Sequence, residues 1–302
     1  MYRKHHKKTL CDIGYVKELT QFNFDDANVI IDLKKQSQDI AIGINKDIGA
    51  GDQGMMFGFA CNETDEYLPT SVVYAHKLTK RLSEIRKNGE VDFLRPDGKA
   101  QLTIEYDNDE IKEEFKMVLC HNDKIPHEYQ NDLVREYILN NVIKQVLPKA
   151  LLDENIKYYI NPTGKFVIGG PSADCGLTGR KIIADTYGGV AYHGGGAFSG
   201  KDPSKVDRSV AYMTRYIAKN LVTTGFADKL EIGLSYAIGV SEPTSIMVKT
   251  YGTAKVSDLE IIDAIRKTFV LTPKVIINHL GLRRPIYKLT TNYGHFGKNN
   301  LT

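Results

Sequence analysis

The chain has 302 residues, 42% of them hydrophobic and 25% charged, which is the composition of a folded globular protein with room for two or more cores and excludes wholesale disorder. Its formal charge of +3 comes from Arg3, Lys4, Lys7 and Lys8; residues 9–302 hold 36 basic against 37 acidic residues, so charge gives no case for a nucleic-acid partner. No run approaches the ~18 apolar residues of a membrane helix, and MYRKHHKK lacks the apolar stretch of a secretory signal, so no membrane partner is expected.

Apolar alternation predicts strands at 28–33 and 54–61, then helical spacing predicts a helix at 70–87, closed by Gly89. Strands follow at 101–106 and 114–120, a helix at 128–147, and strands at 157–160, 165–168 and 181–186. A helix at 203–220, strands at 230–238 and 244–251, and a helix at 256–269 complete the order. Adjacent strands separated by long helices indicate an α+β fold rather than a doubly wound sheet. The pattern suggests three repeated αβ units at 1–100, 101–220 and 221–302. In the 203–220 helix, Asp202 is the expected N-cap and Pro203 the first-turn residue, and Val206, Val210, Met213 and Ile217 form one face that reads as core.

Cys11, Cys61, Cys120 and Cys175 lie 50 or more residues apart, without a CxxC pair or zinc-finger spacing. A reduced, cytoplasmic chain is expected.

Glycine is concentrated. Of 26 glycines, 11 fall between Gly164 and Gly200, in GGPSADCGLTGRK (169–181) and HGGGAFSGKD (193–202). Such loops let backbone N–H groups close around an anion, and the second leads into a helix N-terminus. Lys165, Arg180, Lys181, Lys201 and Lys205 add positive charge, so the region reads as a polyphosphate cradle. Gly195–Lys201 fits most of a P-loop, but Asp202 replaces the hydroxyl residue that would bind Mg²⁺. A further loop, GAGDQG (49–54), places Asp52 between glycines, where a turn role competes with ligand contact. Asp97, Asp174 and Asp207 also flank the glycine loops, and spacing does not select which carboxylate would serve Mg²⁺. His193 beside GGG is either a phosphate donor or a structural residue.

GAGDQGMMFGFACNETDEYLPT (49–70), NPTGKFVIGGPSADCGLTGRKIIADTYGG (161–189) and GGGAFSGKDPSKVDRSVAYMTRYIAKN (194–220) resemble the signature segments of S-adenosylmethionine synthetases. SYAIGVSEPTSIMV (235–248), RRPIYK (283–288) and YGHFG (293–297) are similar to the same family. The resemblance implies a pseudo-threefold α+β fold, and attack of methionine sulfur on C5′ of ATP with loss of triphosphate, which is then cleaved to pyrophosphate and phosphate. It also implies Mg²⁺ and K⁺, and active sites between two subunits of a homodimer or homotetramer.

By the same resemblance Asp52, Lys99, Arg180, Lys181 and Lys201 are catalytic. Asp97, Gly98, Lys99, Lys165, Phe166, Asp174, Arg180, Lys181, Ala197 and Lys201 bind ATP, with Phe166 stacking on adenine. Gln36, Asp174 and Lys205 bind methionine, Gln36 at the edge of a lid loop at 34–48, and Asp207 is a Mg²⁺ ligand. Nothing here matches the family's opening His-Pro-Asp segment, and similarity begins at KKTLCDIGY (7–15). The expectation is a chain with an incomplete first unit, active alone or in a heteromer with a full-length subunit. The alternative is a catalytically silent nucleotide- or subunit-binding partner. Lys165 stands where arginine is common, which removes bidentate phosphate binding at that position.

Overall fold

A computed structural model describes residues 2–16, 22–32, 49–107, 110–122, 130–152, 156–164 and 166–298. In chain order the elements are α1 (Tyr2–Ile13), β1 (Gly54–Cys61), α2 (Thr70–Asn88), β2 (Leu94–Asp107), β3 (Glu110–Asn122) and α3 (Gln130–Ile138). They continue with β4 (Lys157–Ile160), α4 (Val206–Thr223), β5 (Lys229–Tyr236), β6 (Ser245–Lys249), α5 (Asp258–Thr268) and α6 (Pro273–His279). The helices and mostly antiparallel strands make an α+β protein. They form two compact units, each drawn from two stretches of chain: Met1–Lys34 with Tyr74–Gly176, and Lys35–Val73 with Leu177–Thr302. The three segments drawn from the sequence are, by contrast, consecutive.

The first unit holds the sheet β2-β3-β4, with β2 antiparallel and β4 parallel to β3. Its ladder shifts register between Leu94 and Gly98, where Pro96 has no N–H to donate, so the RPDGK segment leaves regular pairing. Leu78, Leu82 and Ile85 of α2 pack in one buried cluster with Val134 and Ile138 of α3. A π-turn, Leu139–Ile143, inserts an extra residue per turn, which brings both Val142 and Ile143 into that core.

The second unit holds the antiparallel sheet β1-β5-β6, with Gly54 opposite Tyr236 and Cys61 opposite Lys229. The stripe Val206, Val210, Met213 and Ile217 of α4 is buried in the core as its spacing predicts. Arg215, on the same helix, is buried without a carboxylate partner among the described residues. It donates instead to the carbonyls of Phe59 (2.7 Å), Tyr67 (2.8 Å) and Glu66 (2.7 Å). This ties the segment after β1 to α4. Ser257 and Glu260 form a reciprocal capping box at the start of α5.

Four sequence expectations need correction. Residues 28–32 form no strand, and Ile30 is 83% exposed; no described strand pairs with them. Residues 166–168 are irregular. The 181–186 segment is a series of turns, because the Lys181 carbonyl accepts Asp185 N–H at 2.9 Å and the Ile183 carbonyl accepts Gly188 N–H at 3.0 Å. Its paired isoleucines imitate a strand, but local bonds take the backbone groups a sheet would need. Finally, α4 starts at Val206 with Lys205 as N-cap, since the Asp202 carboxylate accepts Ser204 N–H at 2.8 Å and closes a separate turn before the helix. Sequence periodicity also missed α1 and α6.

Candidate active site

In the second unit, HGGGAFSGKD runs past the start of β1 into the turn that precedes α4. Two glycines are dictated by close approach. A Cβ on Gly194 would lie 1.7 Å from the Met55 carbonyl oxygen, and one on Gly196 would lie 2.2 Å from the Asp207 carboxyl group. The loop backbone is therefore pressed against Asp207, in the first turn of α4. Lys201 Nζ donates to Asp207 Oδ2 at 2.5 Å, with both side chains only partly exposed. This is a charge-assisted pair at the mouth of a glycine loop.

The neighbouring residues extend the constellation. Gly179 packs on Ala197, which sets the TGRK loop beside AFSGK and carries Arg180 and Lys181 on adjacent exposed positions. Neither cation has an ion-pair partner among the described residues. Lys205 Nζ pairs instead with Asp202, at 3.5 Å. His193 lines the same small cleft as Met55, Gly196, Phe198 and Asp207. Its Nδ1 accepts the Gly195 N–H at 2.8 Å, and its ring stacks on Phe198, so it has a structural role in folding the loop. Burial lowers its pKa against the opposing pull of Asp207. The GAGDQG loop is bonded to the SYAIGV segment, with Ala50 N–H donating to the Val240 carbonyl at 2.9 Å. Asp52 itself is exposed at the edge, and its carboxylate accepts the Gln53 N–H at 2.9 Å.

The first unit carries the remaining described residues. Asp97 Oδ2 accepts the Gly170 N–H at 2.9 Å, which joins RPDGK to the GGPSAD loop. Gly98 and Lys99 are exposed on β2, and Phe166 is half-buried. Asp174 is exposed and its carboxylate accepts the Cys175 N–H at 2.8 Å. Gln36, the lid at 34–48 and Lys165 lie outside the described residues. Sequence reasoning missed Tyr15, whose hydroxyl lies against Gly170 and whose pKa burial raises, with Asp97 adding to the effect. It also missed Arg208 and His295, described below. Among the described residues no group of three or more His, Cys, Asp or Glu side chains forms a metal cluster. No described helix is long and apolar enough to cross a membrane.

Glycine-loop backbone pressed against a lysine-paired carboxylate, with further cations on the adjoining loop, has the chemistry of a polyphosphate-handling site on an α+β frame. Comparison with known proteins narrows that class. The family profile of the S-adenosylmethionine synthetase central domain matches residues 47–166, and that of the C-terminal domain matches residues 168–302. The chain is 52% identical to the S-adenosylmethionine synthase of Clostridium tetani, with 98% of this chain and 78% of the relative aligned. It is 51% identical to that of Syntrophobacter fumaroxidans (97% and 77%) and 50% identical to that of Clostridium acetobutylicum (97% and 78%). The chain belongs to the S-adenosylmethionine synthetase family. Membership displaces the P-loop reading, already weakened by Asp202.

Proposed function

We propose that this chain is a methionine adenosyltransferase, which joins the adenosyl group of ATP to methionine sulfur and releases triphosphate for cleavage to pyrophosphate and phosphate. The observation that carries this reading is the Lys201–Asp207 pair on the glycine loop, in a chain about half identical to named synthases over nearly its whole length. Departure of triphosphate develops negative charge. Lys201, Arg180, Lys181 and Lys99 are the cations assigned to it, with loop N–H groups and the backbone at Ala197. An arriving phosphate competes with Asp207 for the Lys201 ammonium, so binding exchanges one anionic partner for another. Asp97, Gly98, Phe166 and Asp174 are assigned to the nucleoside and its phosphates, with Lys165. Gln36, Asp174 and Lys205 are assigned to methionine, and Asp52 to the reacting groups.

Mg²⁺ and K⁺ belong to this proposal. Mg²⁺ takes one or two carboxylates plus phosphate oxygens, and Asp207 beside Lys201 fits as one such ligand. When bound, the ion would neutralise phosphate charge. The described residues offer no comparable set for K⁺, which rests on the resemblance alone. A homodimer or homotetramer, or a heteromer with a full-length subunit, a cytoplasmic location and a threefold repeat of the αβ unit complete the reading.

The test is formation of S-adenosylmethionine by the purified chain with ATP, methionine, Mg²⁺ and K⁺, followed by chromatography. Product formation that saturates in both substrates is expected. A folded protein that yields none at high enzyme concentration overturns activity for the chain alone. Restoration of product by a full-length subunit would then assign it to a heteromer.

A further inference from the structure

The loop carrying Lys201 is fastened from behind by buried polar groups to which the proposed reaction assigns no role. Arg208 is 4% exposed. It donates from Nη1 to the Lys201 carbonyl (2.8 Å), from Nη2 to Thr290 Oγ1 (3.2 Å) and from Nε to the Tyr212 hydroxyl (3.1 Å). That hydroxyl lies 2.7 Å from His295 Nδ1, and His295 Nε2 lies 3.2 Å from Ser199 Oγ. Phe198 meets the His295 ring edge-on at 5.1 Å. Ser199 and Lys201 flank Gly200, so the network holds the loop on both sides of that residue.

The bonds have a direction. Tyr212 oxygen accepts from a guanidinium, which polarises its own O–H toward the Nδ1 lone pair. A neutral imidazole then carries its single proton on Nε2, facing Ser199. The surroundings favour the neutral ring: His295 is 3% exposed, and burial, Arg208 and Lys298 lower its pKa to about 4, while Asp185 stands at 4.0 Å.

We infer that His295 is a positioning residue for the polyphosphate loop, acting through Ser199 as a neutral Nε2–H donor whose tautomer is set by Tyr212 and Arg208. The phosphate part of this inference rests on the proposed function; the tautomer and the bond to Ser199 do not.

The test uses the full chain, inorganic tripolyphosphate as the calorimetric probe, and ¹⁵N-histidine long-range spectra. Wild type should show the Nε2–H pattern. His295→Leu should weaken tripolyphosphate binding by about 10–100-fold, the range seen when a residue supporting a ligand-contacting group is lost. His295→Gln, which restores a donor toward Ser199, should recover most of it. Should His295→Leu fail to fold, Ser199→Ala removes the acceptor alone; it should weaken binding in the same direction and shift the His295 ring resonances. An Nδ1–H tautomer, or unchanged binding in both His295→Leu and Ser199→Ala, overturns the inference. If wild type itself does not bind tripolyphosphate, the polyphosphate reading fails, and the tautomer together with the Ser199→Ala ring shift decides the clamp.

Discussion

In the second unit, Lys201 sits on a loop, against Asp207 in the first turn of α4, and the back of that loop is bonded to a buried arginine, a tyrosine and a histidine. In the first unit, Asp97 and Asp174 accept backbone N–H groups on a loop bordered by exposed residues and by the bulged part of β2. The two arrangements suit different tasks. Groups that meet developing charge gain most from being fixed in advance, because they need not reorganise as the reaction proceeds. Groups that recognise a nucleoside contribute binding, and an adaptable loop serves for that. The contrast predicts that lesions at Lys201 and Asp207 strike turnover, while lesions at Asp97 and Asp174 strike affinity.

The sharpest way to break this contrast is Lys201→Met. It removes the ammonium and leaves Asp207 against the glycine backbone without its cation. Turnover of ATP and methionine should fall about 10²–10³-fold, as on loss of a charge-stabilising donor. A change in KM alone, at constant kcat, would remove the distinction between the units.

A second probe uses pH. His295 has a folded pKa of about 4, below the ~6.5 of an unfolded histidine. Between those values the unfolded chain binds the additional proton, so this group's contribution is fully present above pH ~6.5 and is lost as pH falls toward 4. The expected loss is about 3 kcal/mol. Among the described residues the facing groups are Arg208, Lys298 and Tyr212, with the Asp185 carboxylate at 4.0 Å. Denaturant unfolding of wild type and His295→Gln at several pH values checks this; wild type should lose stability relative to the variant as pH falls from ~6.5 to about 4. Parallel profiles would show that the clamp is not held by a neutral ring.

The smallest effect belongs to the first unit. Asp97→Ala frees the Gly170 N–H and should raise the KM for ATP about tenfold, equivalent to about 1.4 kcal/mol, with kcat nearly unchanged. An equal fall in kcat would group Asp97 with the charge-handling residues.

How much of this was legible depends on the range of the interactions involved. β1 and β4 occupy the predicted spans because each is a short apolar-rich run bounded by turn residues, and α2 matches within one residue. The 181–186 turns were hidden because Ile182 and Ile183 have strand-like chemistry, while local carbonyls take the N–H groups. Lys201 and Asp207 were named through the family resemblance, since spacing alone did not select among the carboxylates; their pairing across six residues is a finding of the structure. His295 was not legible. Its partner Ser199 is 96 residues away, and no local spacing encodes that meeting. Tyr15 was missed for the same reason, since Gly170 and Asp97 reach it only through the fold.

The pairing of β1 with β5 also has a consequence for synthesis. Cys61 and Lys229 are register partners 168 residues apart. At ~5–20 residues per second, the ribosome needs roughly 10–30 seconds to deliver the second strand after the first. During that interval GMMFGFAC is an uncharged, apolar, proline-free segment awaiting its neighbour, an unpaired strand open to association with other chains. Yield from overexpression should therefore depend on translation speed and chaperone capacity more than on the stability of the finished fold.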